Sequence, residues 1–240
     1  MKGIILAAGR GARLKHLTDA KPKCLVEHQG KPLLEWQVDA LTQAGVDEIA
    51  IVTGYRREML ISRAATEFHN PDWAKTNMVS SLACACKWLQ AEPCIVSYSD
   101  IFFESEAIKH LIASASDIAL TYDVNWRQLW EARFGNPMID AETFRLDQKS
   151  NLLEIGTPPQ SADDIEGQYM GLLYFSPEGW SEVERVRNAL PSEQRASIQM
   201  TQILNKVIRA ARIPVHAIPY SGDWGEVDTE EDLNLYEQRK

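Results

Sequence analysis

The sequence predicts an α/β fold in which helices cover both faces of a doubly wound, mostly parallel sheet. In the first half of the chain, short apolar runs rich in valine and isoleucine alternate with longer stretches whose apolar residues recur at helical spacing. Three consecutive alternations of this kind are typical of βαβ units, whose parallel strands are joined by crossover helices. With 240 residues, 45% of them hydrophobic, the chain can bury a large core.

The first half contains four predicted strands and three predicted helices. The strands are expected over residues 3–8, 49–53, 94–98 and 117–122, which are mainly small or β-branched apolar residues. The first helix begins at about Pro32, a residue that suits a first helical turn, and ends at Gly45, a natural stop. Two further helices are expected, one from about residue 56 and one over residues 78–89.

The regular alternation weakens after about residue 125. We predict an insertion over residues 125–175 of a single domain that spans residues 1–240, with a ribbon of residues 152–155 and 169–175 forming a lid over an acceptor cleft. A helical pair is expected over residues 177–212, broken near Pro191, followed by a strand over residues 213–219. Thr229 then opens a final helix as its N-cap, with Asp232 in the capping-box position.

Charge distribution points to a small anionic ligand. The formal net charge is −9, yet residues 10–31 hold six basic residues against two acidic ones, a local balance of +4. An acidic protein with one basic segment favours a small anion over a nucleic-acid surface. No apolar run is long enough to cross a bilayer, and the first residues do not form a signal peptide, so a cytoplasmic protein is expected. The four cysteines match neither a zinc ribbon nor a disulfide scaffold and are interpreted as reduced thiols.

A glycine-containing loop, Gly9-Arg10-Gly11-Ala12-Arg13-Leu14, follows the first predicted strand. A dinucleotide-binding fingerprint would need a third glycine where Leu14 stands, and a Walker loop would need a Gly-Lys-Ser/Thr sequence that is absent. What remains is a loop whose backbone N–H groups can approach phosphate, near Arg13 and Lys21-Pro22-Lys23. These residues predict a polyphosphate ligand, with an ordinary tight turn as the alternative.

This loop resembles the signature of the nucleotidyltransferases that activate sugar phosphates and phosphocholine. The matching segments, spread over essentially the whole chain, are residues 4–14, Lys21-Pro22-Lys23-Cys24-Leu25-Val26, Tyr98-Ser99-Asp100 and Gly225-Glu226-Val227-Asp228. The resemblance implies that the loop cradles a nucleoside triphosphate and that Arg13 and Lys23 neutralise the phosphates as catalytic residues. The implied nucleotide-binding residues of the loop are Leu6, Ala7, Ala8, Gly9 and Gly11.

Two aspartates are candidate metal ligands. Asp100 follows the predicted strand over residues 94–98, and open α/β sheets bind their ligands at the carboxyl ends of such strands. Asp228 lies in an acid-rich stretch before the last helix, where most carboxylates are expected to be surface charges or caps. The resemblance implies that Asp100 and Asp228 hold Mg²⁺, an ion that binds through one or two carboxylates together with substrate phosphates.

A second resemblance concerns the nucleobase. The segment Asn77-Met78-Val79-Ser80-Ser81-Leu82 resembles the one with which phosphocholine-type cytidylyltransferases open the helix under the base. Asn77 and Ser80 or Ser81 are therefore candidates for hydrogen bonds to a pyrimidine, although an ordinary helix start would explain them equally. The Gln and the Gly-Thr pair common in sugar-phosphate members are absent here, which favours CTP but leaves purine nucleotides open.

The acceptor site is expected under the insertion. The candidate residues are Asp123, Trp126, Trp130, Arg133 and Tyr169, with Arg133 as the phosphate anchor. Together with residues 154–156 and 167–172, they resemble the CTP:phosphoglutamine cytidylyltransferases. Gly156-Thr157-Pro158 stands where sugar-phosphate enzymes usually place Lys-Pro after a glutamate, which argues against a sugar 1-phosphate acceptor.

The function predicted from the sequence is a Mg²⁺-dependent transfer of CMP from CTP to a small phosphorylated or phosphonate acceptor. The acceptor phosphate is mostly a dianion at pH 7, so direct attack needs no general base. Two alternatives remain: a sugar 1-phosphate nucleotidyltransferase, and a non-catalytic nucleotide-binding regulator. A glycosyltransferase is disfavoured, because no Asp-x-Asp pair follows the strand that ends at Tyr98.

Overall fold

The computed structural model describes residues 1–46, 48–63 and 65–238, with only the backbone described at residue 15. Its strands, in chain order, are β1 (Lys2–Ala7), β2 (Glu27–His28), β3 (Lys31–Pro32), β4 (Glu48–Thr53), β5 (Thr66–His69), β6 (Cys94–Tyr98), β7 (Ile101–Phe103), β8 (Ile118–Asp123), β9 (Phe144–Leu146), β10 (Leu152–Ile155), β11 (Gln168–Phe175), β12 (His216–Tyr220) and β13 (Trp224–Glu226). Its α-helices are α1 (Leu33–Gln43), α2 (Met78–Ala83), α3 (Cys86–Leu89), α4 (Ser105–Ala113), α5 (Trp126–Phe134), α6 (Pro177–Asn188), α7 (Ser192–Ser197), α8 (Met200–Ala210) and α9 (Glu230–Glu237). Short 3-10 helices cover Ala12–Thr18, Lys23–Leu25, Arg57–Met59, Ile61–Arg63 and Ala162–Asp164.

Seven strands form the central sheet in the order β12-β8-β11-β6-β1-β4-β5. Strand β1 pairs in parallel with both β4 and β6, β4 pairs in parallel with β5, and β12 pairs in parallel with β8. Among the described strands of this sheet, β11 alone runs antiparallel to its two neighbours, β6 and β8. The predicted fold class, a doubly wound and mostly parallel sheet, is therefore confirmed.

Alternation of apolar residues along the strands builds two cores, one on each face of the sheet. Ile5 and Ile51 belong to the core under α1 and α4, whereas Ile4 and Val52 belong to the core under α2, α6 and α8. Successive side chains of a strand point to opposite faces, so strands buried on both sides consist of nearly continuous apolar residues. This explains why β1 and β4 are recognisable as short apolar runs in the sequence.

The insertion differs from the sequence prediction in one strand. Residues 169–175 were expected in a ribbon over the cleft, but they belong to β11 in the middle of the central sheet, and β10 pairs with β9 instead. The sequence of an apolar strand does not show whether the strand pairs in a local ribbon or in the central sheet, because both kinds of pairing favour the same residue types. Tyr169 reaches the cleft from the sheet.

Other element boundaries shift by smaller amounts. The helix expected from about residue 56 is a pair of 3-10 turns, and the helix expected over residues 78–89 is divided into α2 and α3. The break near Pro191 and the capping box of Thr229 and Asp232 are both present. All four cysteines are free thiols. In the described part of the chain, no helix has the length and apolar character needed to cross a membrane.

The position of β1 in the sheet determines where a ligand can bind. From β1 the chain passes to β4 and β5 on one side, and later to β6 on the other. Such a reversal of strand order leaves a crevice at the carboxyl ends of the strands, where doubly wound proteins bind their ligands. The glycine loop begins at the carboxyl end of β1. Asp100 lies just after the carboxyl end of β6, separated from it by Ser99.

A buried glutamine connects α1 to the two strands that flank Asp100. The Gln37 side-chain amide donates to the carbonyl oxygen of Ile101 at 2.6 Å and accepts a hydrogen bond from the Ser97 hydroxyl at 3.2 Å. Gln37 has no exposed surface. Because buried polar groups that lose a partner remain desolvated, this amide fixes the end of β6 relative to β7.

We expect Gln37→Leu to lower the free energy of unfolding by about 1–3 kcal/mol, because the carbonyl of Ile101 would lose its buried donor. Urea denaturation measures this change. Gln43→Leu, on an exposed position of the same helix, is the matched control and should stay within about 0.5 kcal/mol of the parent protein. Equal stabilities of the two variants would contradict the role given to Gln37.

Candidate active site

A cleft of about 560 Å³ lies next to the carboxyl ends of the central strands. This volume is in the range of small-molecule sites. Its walls come from the glycine loop, from α2, from β6 and β11, from the insertion and from α8. The residues that line the cleft include Arg13, Asn77, Tyr98, Trp130, Asp140, Glu142, Gly156, Gln168, Tyr169, Thr201 and Glu226.

The glycine loop is shaped by its contact with Lys23. Gly11 has φ +67°, a left-handed conformation that favours glycine. A Cβ atom at Gly11 would lie 2.8 Å from Cδ of Lys23. The two predicted motifs therefore pack directly on each other, and only a residue without a side chain lets Lys23 pass under the loop.

Lys23 lies between the two predicted metal ligands. Its ammonium group donates to Oδ2 of Asp100 at 2.8 Å and to Oδ1 of Asp228 at 2.6 Å. Burial lowers the pKa of Lys23, but the charges of Asp100 and Asp228 raise it by more, so its net shift is upward. The lysine stays protonated and neutralises both carboxylates.

Strand pairing brings Asp100 and Asp228 together from distant parts of the chain. Strand β13 pairs antiparallel with β7, with Glu226 opposite Ile101. The backbone N–H of Val227 then donates to the carbonyl oxygen of Asp100 at 2.8 Å. Since each aspartate lies immediately beside this pairing, their carboxylates meet at one end of the cleft.

Glu226 is a third carboxylate at this place, and the sequence interpretation missed it. Asp100, Glu226 and Asp228 each offer an oxygen within 4.8 Å of the others. Burial, followed by the charges of Asp228 and Asp100, raises the pKa of Glu226 to about 7. In the sequence Glu226 was one of several acids before the last helix; its spacing of two residues from Asp228 was the signal that could have singled it out.

The carboxylate group fits a divalent cation that prefers oxygen ligands. All three side chains offer oxygen alone, which suits Mg²⁺ better than softer metals. Oδ1 of Asp100 is buried and has no hydrogen-bond partner among the described residues. A buried oxygen without a donor is costly unless a cation or another donor reaches it. Asp100, Glu226 and Asp228 are therefore the residues that can hold such an ion.

Arg133 has a different position from the one expected. Its side chain is fully buried and contacts Asp232 at 2.8 Å, Glu226 at 3.3 Å and Asp228 at 3.5 Å. It is not among the residues that line the cleft, so the structure gives no support to the expectation that it anchors the acceptor phosphate. Helix α5 carries this guanidinium behind the carboxylates, where it balances their charge.

Arg13 reaches the same carboxylates from the solvent side. Its guanidinium lies 2.8 Å from Oδ1 of Asp228 and 3.6 Å from Oδ2 of Asp140, and 62% of the side chain is exposed. Arg13 and Lys23, two predicted catalytic residues, thus meet at one carboxylate. Arg13 lines the cleft and is already exposed there, so its guanidinium can contact a bound anion directly.

The remaining nucleotide-binding candidates divide into two groups. Leu6, Ala7 and Ala8 are buried at the end of β1, and Gly9 is exposed in the loop after them. Asn77 lines the cleft and caps α2, its side chain accepting from the N–H of Met78 at 2.7 Å.

The two serines do not line the cleft. The Ser80 hydroxyl donates to the carbonyl oxygens of Arg195 and Ala196, at the end of α7. Ser81 is buried and accepts from the Asn70 amide at 3.0 Å. Both hydroxyls have partners within the protein, so the structure gives no support to the expected hydrogen bonds from Ser80 and Ser81 to the base.

The acceptor candidates also divide. Trp130 and Tyr169 line the cleft. Asp123 lies elsewhere, accepting from the indole N–H of Trp224 at 3.0 Å, and Trp126 is buried in the core under α5. Neither Asp123 nor Trp126 is among the residues that line the cleft, so the structure gives no support to the expectation that they contact the acceptor.

A family model described as the MobA-like NTP transferase domain matches residues 3–189. The chain belongs to this family. The match covers the glycine loop, Lys23, Asp100 and the whole insertion, and it confirms the resemblance inferred from the signature residues. The chain is accordingly a nucleotidyltransferase.

Among its relatives is the CTP:phosphoglutamine cytidylyltransferase of Campylobacter jejuni subsp. jejuni serotype O:2. The two are 34% identical over 251 aligned positions, which cover 98% of each chain. The 2-aminoethylphosphonate cytidylyltransferase of Lancefieldella rimae is 34% identical over 110 positions, 44% of this chain and 45% of that protein. The CTP:phosphocholine cytidylyltransferase structure from Streptococcus pneumoniae superimposes with a TM-score of 0.73 at 20% identity, covering 99% of this chain and 97% of that one. The structural likeness confirms the nucleotidyltransferase fold.

We expect Arg133→Ala to lower the free energy of unfolding by about 3–5 kcal/mol, because it leaves buried carboxylates without their cation. Thermal or urea unfolding measures the change. Arg127→Ala is the matched control, since Arg127 is exposed on the same helix and should change stability by less than about 0.5 kcal/mol. A variant at Arg133 as stable as the one at Arg127 would show that the guanidinium is not needed behind the cluster.

Proposed function

We propose that this nucleotidyltransferase is a metal-dependent cytidylyltransferase that transfers CMP from CTP to a small phosphorylated or phosphonate acceptor. The observation that carries the proposal is the meeting of Lys23, Arg13 and the carboxylates Asp100, Glu226 and Asp228 at one end of the cleft. The 34% sequence identity to a CTP:phosphoglutamine cytidylyltransferase, over 98% of that protein, supports CTP as the donor.

The reaction joins an acceptor oxygen to the α-phosphorus of CTP. A new P–O bond forms as the bond between the α-phosphorus and the bridging oxygen breaks, and the electron pair leaves with pyrophosphate. The second pKa of a phosphate monoester is near 6, so a phosphate acceptor is mostly a dianion at pH 7 and carries no proton to remove. The cleft therefore needs cations and positioning, and no covalent nucleophile is assigned.

The chain's own cations would stabilise the charge that develops on the phosphates. Arg13 lines the cleft and is largely exposed, so it can meet a phosphate directly. Lys23 holds a full positive charge below the glycine loop, next to the carboxylates. Groups that are already in place before the reaction stabilise a transition state without reorganisation.

Asp100, Glu226 and Asp228 would hold the metal ion, for which Mg²⁺ is the proposed occupant. The ion, when bound, would supply further charge neutralisation to the triphosphate. Arg133 would keep Glu226 and Asp228 oriented from behind. Asn77, at the cleft and at the start of α2, is the proposed contact for the base.

The insertion is proposed to form the acceptor side. Its residues Trp130, Glu142 and Gly156 line the cleft, and Tyr169 faces them from β11. The experiment that tests the function measures pyrophosphate release from CTP, UTP, ATP or GTP with Mg²⁺. The acceptor panel contains phosphocholine, phosphoglutamine, 2-aminoethylphosphonate and hexose 1-phosphates.

Release that requires CTP together with one of the nitrogen-containing acceptors is the expected result. Turnover with hexose 1-phosphates alone would instead show a sugar 1-phosphate nucleotidyltransferase. Binding of CTP without turnover of any acceptor would favour a nucleotide-binding regulator. Exchange of labelled pyrophosphate into CTP in the absence of any acceptor would contradict direct transfer.

We expect Lys23→Ala and Asp100→Ala each to lower turnover by at least about 10²-fold, since each removes a group that stabilises charge in the transition state. Circular dichroism checks that both variants remain folded. Lys149→Ala and Asp163→Ala, at exposed positions away from the cleft, are the matched controls and should keep parental turnover. Full activity of either site variant would refute its assigned role.

A further inference from the structure

A second, smaller cavity lies between α8 and the turn that follows β10, and we call it the α8 groove. Its volume is about 280 Å³, at the lower limit of small-molecule sites. Gly156 and Gln202 line both this groove and the cleft, so the two cavities adjoin each other. The α8 groove is lined by Gly156, Thr157, Gln202, Asn205, Lys206 and Arg209.

The α8 groove is cationic in a protein that is acidic overall. The formal net charge of the chain is −9, yet among the described lining residues of the groove Lys206 and Arg209 carry charge and none is acidic. Neither cation forms an ion pair with a carboxylate among the described residues, whereas Arg212, just after α8, reaches Glu182 at 3.6 Å. The groove therefore presents two positive charges that the described part of the protein does not neutralise.

Helical spacing places the two cations beside each other. Residues three apart on a helix are surface neighbours, with Cβ atoms about 5–6 Å apart, so Lys206 and Arg209 lie on the same side of α8. Arg209 is in the last turn of the helix, where the helix dipole favours a cation. Lys206 precedes that turn, and the effect of the dipole fades beyond it. The dipole of α8 therefore does not account for both charges.

The wall opposite the cations is held closely against the helix. Gly156 has φ +81°, and a Cβ atom there would lie 2.6 Å from Cβ of Thr201 on α8. The backbone N–H of Thr157 donates to the hydroxyl oxygen of Thr143 at 3.1 Å, and the backbone N–H of Thr143 donates to the carbonyl oxygen of Thr157 at 2.7 Å. These contacts fix the turn on both sides, so the groove is formed before a ligand arrives, which lowers the cost of binding.

We infer that the α8 groove is a second anion-binding site, separate from the cleft, and that its ligand is inorganic pyrophosphate. The two phosphoryl groups of this anion can each meet one cation, the guanidinium of Arg209 or the ammonium of Lys206. The side-chain amides of Gln202 and Asn205 offer further hydrogen-bond donors. The proposed reaction releases pyrophosphate in the adjoining cleft, so the choice of this anion rests on the proposed function. The existence of an anion site rests on the groove alone.

The test measures the binding of pyrophosphate, and of inorganic phosphate for comparison, by calorimetry without nucleotide, acceptor or divalent ions. The groove variant is Lys206→Met/Arg209→Met, and Arg13→Met reports on binding in the cleft. Arg145→Met/Lys149→Met is the matched control, since it removes two exposed positive charges from another part of the surface. No step of this test requires turnover, so its result is independent of the cytidylyltransferase assay.

We expect Lys206→Met/Arg209→Met to raise the Kd for pyrophosphate by at least about tenfold, because both charge-assisted contacts are lost. Arg13→Met and the matched control should keep the parental Kd within about twofold. Inorganic phosphate should bind the parent protein at least about fivefold more weakly than pyrophosphate, since one phosphoryl group cannot meet both cations.

Retention of binding in Lys206→Met/Arg209→Met with loss in Arg13→Met would place the anion in the cleft and overturn the inference. Absence of binding to the parent protein would overturn it as well. An equal loss in Arg145→Met/Lys149→Met would show general attraction by surface charge instead of a site. Equal affinities for phosphate and pyrophosphate would contradict pyrophosphate as the ligand. Each of these results would leave the proposed transfer of CMP untouched.

Discussion

The central physical constraint is the charge balance at the end of the cleft, where several carboxylates lie together with little exposure to water. Lys23 pairs with Asp100 and Asp228, and Arg133 pairs with Asp232 and with Glu226. A buried carboxylate left without its cation costs roughly 3–5 kcal/mol, a large part of the stability of a typical domain. The protein can therefore keep this concentration of negative charge only where cations from distant parts of the chain are brought to it.

Three features of the fold achieve this arrangement. The left-handed conformation of Gly11 lets Lys23 pass beneath the loop after β1, and pairing of β7 with β13 joins Asp100 to the segment of Asp228. Packing of α5 on α9 then places Arg133 behind the carboxylates. All three meet where the strand order reverses around β1, which is also where an open sheet leaves room for a ligand. The residues that balance the buried charge are thus the same ones that are proposed to act in catalysis.

Local signals allowed much of this to be predicted. Short apolar runs predicted the parallel strands, and short sequence motifs predicted the glycine loop, Lys23 and Asp100. Such local signals do not depend on how distant parts of the chain pack. The position of β11, by contrast, depends on pairing over long sequence distances. The direction of the Arg133 side chain depends on which face of α5 packs inward. The neighbouring residues Trp130 and Phe134 do not identify that face from the sequence alone. Glu226 could not be distinguished from the neighbouring acidic residues in the sequence. Its place in the carboxylate cluster depends on the pairing of β13 with β7, in which it lies opposite Ile101.

Lys23 and Asp228 are proposed to act together on one triphosphate and its metal ion. The most direct measurement is a double-mutant cycle on the affinity for α,β-methylene CTP in the presence of Mg²⁺, determined by calorimetry for the parent, Lys23→Met, Asp228→Asn and the double variant. If both residues serve one site, the two changes in binding free energy should fail to add by at least about 1 kcal/mol. Additivity within about 0.5 kcal/mol would show that they act independently and would contradict the account.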